Sequence, residues 1–324
     1  MRACGLLSLV LAGAISTSLG AVPRFYVPPT LHLGSVNEVY AWDEVPVASF
    51  SVQVFRPGSV QPFLTSRSFP GRSPLGLPGS PKAWAWSAAW VPLDALAEPG
   101  DVSVKVVGPH GEDWATFPAQ IEPRAFPTEE IHLDPAMTQL RAKPAVRKDI
   151  EADQIWAVYQ RFNPAKPVTG PHFQLPVSAQ IEHSAEYGDT REFLYSDGTS
   201  ARDYHRGTDF KVPVGTPVTA PARGTVVLVA NRMLTGKTVV VEHAPGLYSV
   251  YFHLSKILVV AGQKVQPGQK LALSGATGLV TGPHLHWEIR CQGISVDPFD
   301  LVNRGVLDTD SVIGIISSIE NTIH

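Results

Sequence analysis

Charge and cysteine are both scarce in this chain of 324 residues. Asp, Glu, Lys and Arg together make up 17% of it, against about 25% in an average soluble protein. The formal net charge of −3 argues against a polybasic nucleic-acid-binding protein. An acidic disordered chain is not expected either, because 44% of the residues are hydrophobic. Two cysteines cannot build a disulfide-rich scaffold.

The sequence also has no long apolar run, and the apolar run near its N-terminus is short. Arg2 precedes an apolar run over residues 6–15, and the small residues Ser18, Gly20 and Ala21 follow it. This layout is typical of a secretory signal peptide, and the run is shorter than the roughly 20 residues that a spanning helix needs. We therefore predict a signal peptide over residues 1–21 and export to the periplasm, cell envelope or extracellular space. No membrane span is expected after its removal. The alternative, a buried N-terminal helix, lacks capping residues.

Proline and glycine, by contrast, are abundant, at 29 and 27 residues. Most prolines precede residue 177, whereas more than half of the glycines follow residue 187. So many chain-breaking residues argue against a helical bundle and favour short strands joined by turns. The uneven distribution also indicates a domain boundary.

The strand and turn patterns divide the chain after the leader into four segments. We predict a β-sandwich accessory domain over 22–125, a connector with a helix over 126–172, a second β-rich domain over 173–303 and a C-terminal tail over 304–324. The short alternating strands of the first domain are typical of an immunoglobulin-like sandwich. The fold class is therefore mainly β.

Three tryptophans lie close together in the first domain. Trp84, Trp86 and Trp90 occur in the run AWAWSAAW, and we interpret them as core residues. The alternative is an exposed aromatic surface for sugar or peptide. In the connector, Pro144 would interrupt a helix, so we place the helix after it. A second short helix is expected in the tail, where four aliphatic residues cluster on one side.

Four polar residues of the second domain have spacings that suit a metal site, and His253, in the strand-like run SVYFHL, belongs to the same domain. His284 and His286 would point to the same face of a strand, and His205 and Asp209 would share a face of an extended segment or a helix. Gly207 favours the extended form. A catalytic zinc ion takes three protein ligands and keeps one position for water. Each pair alone is a weak signal.

Other hydrolase chemistries find no support in the sequence. The helical zinc motif HExxH is missing, and so is the serine hydrolase motif GxSxG. Cys291 would lie on the strand face opposite to His286, so we interpret it as a core thiol. Zinc would then be bound by histidine and aspartate.

Four segments of the second domain resemble the lysostaphin/LytM-type zinc metallopeptidases, a family of bacterial peptidoglycan endopeptidases. They are HRGTDF, GTPVTAPARGTVV, YSVYFHLS and GQKVQPGQKLALSGATGLVTGPHLHWEI. Their order matches the family, and the resemblance covers residues 173–302. Two aromatic positions differ, with Tyr187 where phenylalanine is usual and HWEI in place of the commoner HFEI.

The resemblance implies a role for each of the five residues. His205, Asp209 and His286 correspond to the zinc ligands, and His253 and His284 correspond to the two catalytic histidines. It also implies an antiparallel β-sheet domain of the duplicated hybrid motif type. The expected reaction is hydrolysis of peptide bonds in peptidoglycan cross-links or stem peptides, with a zinc-activated water assisted by the two histidines. The expected partner is the wall peptide itself, with no nucleic acid, and the chain is expected to be a monomer.

Several alternatives stay open at this point. The protein could be a non-catalytic wall-binding scaffold or an activator of another hydrolase, although none of the five residues is lost. A biotinyl- or lipoyl-type carrier domain shares the strand rhythm but lacks a Met-Lys-Met hairpin here. The glycines and threonines of 275–282 could form a substrate groove, tight turns or both. The connector is placed where it could autoinhibit the enzyme.

Overall fold

The computed structural model describes residues 22–71, 75–76, 83–166, 172–178 and 182–323, so the predicted signal peptide lies outside the described residues. The chain is mainly β, as predicted, and it divides into two compact units. Residues 22–91, 97–123 and 307–323 belong to the first unit, and residues 92–96 and 124–306 belong to the second.

The described part of the first unit contains nine strands. They are β1 (Arg24–Tyr26), β2 (Thr30–His32), β3 (Val36–Asp43), β4 (Ser51–Phe55), β5 (Leu64–Pro70), β6 (Leu75–Gly76), β7 (Ala83–Pro92), β8 (Gly100–Val107) and β9 (Asp113–Glu122). The hydrogen-bonded order is β1-β3-β7-β5-β4-β8-β9-β2, with β6 on β7. Strand β5 pairs with β4 through residues 64–67 and with β7 through residues 68–70. A strand shared in this way turns a corner between two halves of a sheet. The immunoglobulin-like arrangement stays a prediction.

The tryptophans of β7 lie in the core of this unit, as predicted. Trp84, Trp86 and Trp90 are 4%, 7% and 0% exposed. Because side chains two residues apart share a strand face, all three point to the same side of β7. The ring of Trp90 lies 4.8 Å from that of Phe69.

The second unit contains the remaining strands and three helices. The helices are α1 (Pro135–Ala142), α2 (Val146–Tyr159) and α3 (Pro298–Asn303). The strands are β10 (Thr128–His132), β11 (His183–Ala185), β12 (Thr190–Leu194), β13 (Ser200–Tyr204), β14 (Thr208–Phe210), β15 (Pro217–Thr219), β16 (Gly224–Arg232), β17 (Gly236–Ala244), β18 (Leu247–Leu254), β19 (Lys256–Ile257), β20 (Lys264–Val265), β21 (Lys270–Leu273), β22 (Leu285–Cys291) and β23 (Ile294–Val296).

An eight-stranded antiparallel sheet forms the centre of this unit. Its order is β11-β14-β22-β18-β17-β16-β20, with β23 on β22. All eight residues of β18 are buried, as is typical of a strand covered on both faces. Two three-stranded sheets flank it, β10-β12-β13 and β15-β21-β19, and β10 pairs with β12 in parallel. Cys291 is fully buried, as predicted.

The connector contributes two helices rather than one. Helix α2 begins after Pro144, which confirms the prediction, and its Ile155, Val158 and Tyr159 pack into a core cluster with residues of β17 and β18. Helix α1 was not predicted, although its signal is present. Asp134 caps it by accepting a hydrogen bond of 2.8 Å from the Met137 amide, and a proline occupies its first turn.

The predicted helix of the tail is α4 (Thr309–Ile323), and it belongs to the first unit. Its Val312, Ile316 and Ile319 are buried, as the aliphatic pattern indicated. The Glu320 carboxylate accepts a hydrogen bond of 2.9 Å from the Trp42 indole. Among the described residues, every helix is too short or too polar to cross a lipid bilayer.

Gly207 allows the chain between β13 and β14 to approach β22 closely. A Cβ atom at this position would lie 2.2 Å from the carbonyl oxygen of Trp287, far inside contact distance. The neighbouring Thr208 pairs with Trp287, and Asp209 pairs with His286. The missing side chain therefore sets the spacing between two strands that carry candidate site residues.

We expect Gly207→Ala to destabilise the fold by about 1–3 kcal/mol, because backbone atoms cannot yield as the tip of a side chain can. Urea denaturation would measure the loss. Gly282→Ala is the matched control, since a Cβ atom there meets nothing within 4 Å. Equal stability of the two variants would contradict this account of Gly207.

Candidate metal centre and groove

Three predicted ligand residues converge in the second unit. The Oδ1 atom of Asp209 lies 2.7 Å from Nδ1 of His286 and 3.1 Å from Nε2 of His205, and these two nitrogens are 2.9 Å apart. All three side chains are buried. Asp209 and His286 meet because they are directly opposite each other on β14 and β22. His205 follows β13, so it and Asp209 lie on two successive extended segments.

The outward-facing nitrogens of both histidines have hydrogen-bond partners. Nδ1 of His205 donates to the Glu186 carbonyl at 2.8 Å, and Nε2 of His286 donates to Oε1 of Glu288 at 3.0 Å. The inner nitrogens, Nε2 of His205 and Nδ1 of His286, therefore both face Asp209. A histidine ligand in a metal site has this arrangement, because the outer hydrogen bond orients the ring and increases its basicity.

This donor set fits a zinc ion. Two imidazole nitrogens and one carboxylate oxygen point at a common centre, and groups of this kind bind catalytic zinc with one position left for water. Three acceptors this close repel one another unless a cation or a proton lies between them. Burial opposes charging of His286, but the carboxylates of Asp209 and Glu288 outweigh it and raise its pKa to about 9. A proton and a metal ion thus compete for Nδ1 of His286.

A buried chain of charges, which was not predicted from the sequence, continues behind His286. Oε2 of Glu288 accepts a hydrogen bond of 2.7 Å from Nε of Arg290. Burial alone would raise the pKa of Glu288, but Arg290 and His286 lower it to about 2. The signal was present, because the three residues alternate along β22 and so share one face.

Arg191 of β12 holds the second oxygen of the aspartate. Its Nη2 lies 3.0 Å from Oδ2 of Asp209, and its Nε is paired with Glu129 of β10. Oδ1 of Asp209 is thereby left to face the histidines. Burial would raise the pKa of Asp209, but His286 and His205 lower it well below the ordinary value. No local pattern in the sequence pointed to Arg191.

The two predicted catalytic histidines lie beside the three ligand residues. The rings of His253 and His284 are 4.8 Å apart, and Nε2 of His284 is 3.7 Å from Oδ1 of Asp209. Each Nδ1 hydrogen-bonds a backbone carbonyl, that of Thr277 at 2.8 Å for His253 and that of Gly282 at 2.9 Å for His284. Each Nε2 is therefore available to the groove.

The backbone of His253 is in the left-handed region, with φ of 59°. For a residue other than glycine or asparagine, this conformation costs about 1–2 kcal/mol. Its amide donates a hydrogen bond of 2.9 Å to the Thr235 carbonyl, which helps to hold the conformation. Burial, together with the nearby His284 and His286, lowers the pKa of His253 to about 3, so its ring is neutral.

These five residues line a groove of about 390 Å³. One wall comes from 279–281, so the predicted 275–282 segment does border the groove. The turns of this segment are tight, because a Cβ atom added at Gly278 would lie only 2.5 Å from the amide nitrogen of Gly236. The connector also lines the groove. It does so through Ile131 of β10, Leu133 just after it, and Met137 and Arg141 of α1.

Helix α2 supports the β16–β17 turn, which also borders the groove. Oε2 of Glu151 accepts a hydrogen bond of 2.7 Å from the Met233 amide, and Nη2 of Arg232 donates to the Glu151 carbonyl at 2.9 Å. The next residues, Leu234 and Thr235, line the groove. The connector therefore forms part of the site.

Comparisons with known proteins agree on this part of the chain. Residues 203–298 match the model of Peptidase family M23. A stretch of 93 residues is 50% identical to the peptidoglycan DD-endopeptidase ShyA of Vibrio cholerae, covering 29% of this chain and 22% of that protein. Another of 94 residues is 39% identical to the DD-carboxypeptidase/endopeptidase Mpg of Neisseria meningitidis, with the same coverage of 29% and 22%. The chain thus spans about a fifth of the length of the curated relatives it matches.

A solved structure extends the similarity beyond the matched segment. A crystal structure described as a peptidase M23 from Pseudomonas aeruginosa is 29% identical, with a TM-score of 0.51. It covers 78% of this chain, and this chain covers 93% of it.

We expect Glu288→Gln to weaken zinc binding about 10- to 100-fold, because the amide is a poorer acceptor for the outer nitrogen of His286. Competition with a chromogenic chelator would measure the affinity. Glu192→Gln is the control, since Glu192 is a half-exposed partner of Arg202 at 3.9 Å. Unchanged affinity in a folded Glu288→Gln protein would contradict a role for this carboxylate in orienting His286.

We also expect zinc affinity to rise about tenfold per pH unit through the neutral range, up to about pH 9. His286 has a raised pKa, so below that pH the metal must displace one proton from Nδ1. Burial lowers the pKa of His205, which therefore adds no second proton. Calorimetry in buffers of different ionisation enthalpy would count the released proton. A pH-independent affinity across the neutral range would be the contrary result.

Proposed function

We propose that the protein, whose residues 203–298 match the model of Peptidase family M23, is an exported zinc metalloendopeptidase of the bacterial cell wall. Its proposed substrates are peptide bonds in peptidoglycan cross-links or stem peptides. The peptidoglycan endopeptidases among its relatives support this substrate. The leader-like residues 1–21 support export to the periplasm, cell envelope or extracellular space.

The observation that carries the proposal is the convergence of five side chains on one groove. His205, Asp209 and His286 are the proposed zinc ligands, and His253 and His284 are the proposed catalytic histidines. All five line the same 390 Å³ groove. A non-catalytic scaffold would have no use for two further imidazoles beside a complete set of three ligands.

The residues of this chain suit hydrolysis of an amide bond. Zinc, when bound, supplies Lewis-acid chemistry: it polarises the scissile carbonyl and lowers the pKa of a water toward about 7. The neutral Nε2 of one proposed catalytic histidine can accept the proton of the attacking water. The other histidine can stabilise the developing oxyanion and protonate the leaving amine once its Nε2 carries a proton, because its Nδ1–H is already donated to a backbone carbonyl.

The backbone contacts of His253 and His284 fix both rings before substrate arrives. Their Nδ1 atoms are bound to the carbonyls of Thr277 and Gly282, so neither ring can turn without losing a hydrogen bond. Preorganised groups of this kind need no rearrangement at the moment of reaction. The groove is open to solvent at Arg206, whose side chain is 37% exposed.

Release of soluble fragments from dye-labelled sacculi tests the proposal. We expect His286→Ala to lose both zinc binding and hydrolysis, because it removes a proposed ligand. His253→Ala and His284→Ala should retain zinc and lose about 10²- to 10⁴-fold in rate, the usual contribution of general acid–base catalysis.

Two controls make this test specific. A chelator should stop the wild-type reaction, and added zinc should restore it. His132→Ala should behave as the wild type, since that histidine is 77% exposed and outside the groove. Wild-type protein that binds sacculi but releases nothing would instead favour a scaffold, and wild-type activity in His286→Ala would disprove the ligand assignment.

A further inference from the structure

Two arginines at one end of the groove share a single carboxylate. Nη2 of Arg206 lies 2.9 Å from Oδ1 of Asp203, and Nη2 of Arg141 lies 3.5 Å from Oδ2 of the same residue. All three line the groove. This corner therefore holds two guanidinium groups against one aspartate, a surplus of one positive charge.

Other charged groups of the groove have partners that balance them. Arg191 is paired with Glu129 as well as with Asp209, and Glu288 lies between Arg290 and His286. The surplus at Arg141 and Arg206 is thus a local feature of the corner. Both arginines are paired with Asp203, which is not one of the proposed metal ligands.

Both guanidinium groups are fixed by aromatic rings. The Cζ atom of Arg141 lies 3.6 Å from the ring centroid of Phe193, and that of Arg206 lies 4.5 Å from the ring of Tyr204. The two rings are themselves buried, and the Tyr204 hydroxyl is 2.8 Å from the Ser295 hydroxyl. Stacking of this kind orders an arginine in advance, so less entropy is lost when it binds a ligand.

The arginines also retain unused donors. Nε of Arg141 is buried and has no hydrogen-bond partner among the described residues. That nitrogen is closed to solvent, but the Arg141 side chain is 23% exposed, so a ligand in the groove would reach it through its other atoms. A guanidinium group matches a carboxylate in shape, because two parallel N–H groups can meet its two oxygens.

The corner is next to the proposed reaction centre. Arg206 directly follows His205, and consecutive Cα atoms are only about 3.8 Å apart. Building on the proposed function, we propose that Arg141 and Arg206 bind a free carboxylate of the substrate, close to the scissile bond. The enzyme would then select wall peptides that carry this carboxylate over peptides in which it is amidated.

The inference can be tested with synthetic cross-linked stem-peptide dimers. In each dimer of the series, one carboxylate is replaced by a carboxamide. We expect one replacement to lower wild-type kcat/KM about 10- to 100-fold, mainly through KM, which is the range for a hydrogen bond to a charged group. Replacing side-chain and terminal carboxylates separately identifies which of them is bound. In Arg141→Gln/Arg206→Gln, we expect the carboxylate and the carboxamide forms to be cleaved equally well.

A matched variant and a binding assay separate the possible outcomes. Arg202→Gln removes an arginine of β13 that is 70% exposed and outside the groove, and it should keep the wild-type preference. Equal cleavage of all dimers by the wild type would overturn the carboxylate site and leave the proposed function intact. If no dimer is cleaved, the proposed function fails, and calorimetric titration of the same dimers still tests the site. Equal affinities for the two forms would overturn it.

Discussion

The antiparallel pairing of β14 with β22 is the constraint on which the rest of the site depends. It sets Asp209 opposite His286, and it exists because Gly207 lets the chain pass against the Trp287 carbonyl. A slip of one residue in this register would turn Asp209 to the other face of the sheet. Backbone hydrogen bonds therefore determine the spacing of the donors, and side chains only refine it.

A second layer of contacts decides which atoms of those donors face inward. The Glu186 carbonyl orients His205, Glu288 orients His286 and Arg191 holds the outer oxygen of Asp209. Such contacts matter more in a buried site, because an unpaired charge there is costly. Arg290 balances Glu288, and Glu129 is paired with Arg191, so each outer group has its own partner.

The sequence predicted the parts of the site that depend on short spacings. His284 directly precedes β22 and His286 lies on it, two residues further along, and the resemblance supplied His253, which lies on β18. The tryptophans of β7, the helix after Pro144 and the helix of the tail also followed from local periodicity. Arg191 could not be found in this way, because its partner Glu129 lies on a parallel strand that is distant along the chain. Helix α1 was not predicted, although Asp134 and the proline that follows it are typical of the start of a helix.

The groove is lined by residues that lie far apart along the chain. The five residues proposed to perform the chemistry lie within 203–298, whereas residues of β10 and α1 reach the groove from upstream. Changes in α1 can therefore alter the shape of the groove without touching a donor atom. Recombination at residue 203 would transfer the five residues to another chain and leave the residues of β10 and α1 behind. The donor set and the shape of the groove can therefore change independently of each other.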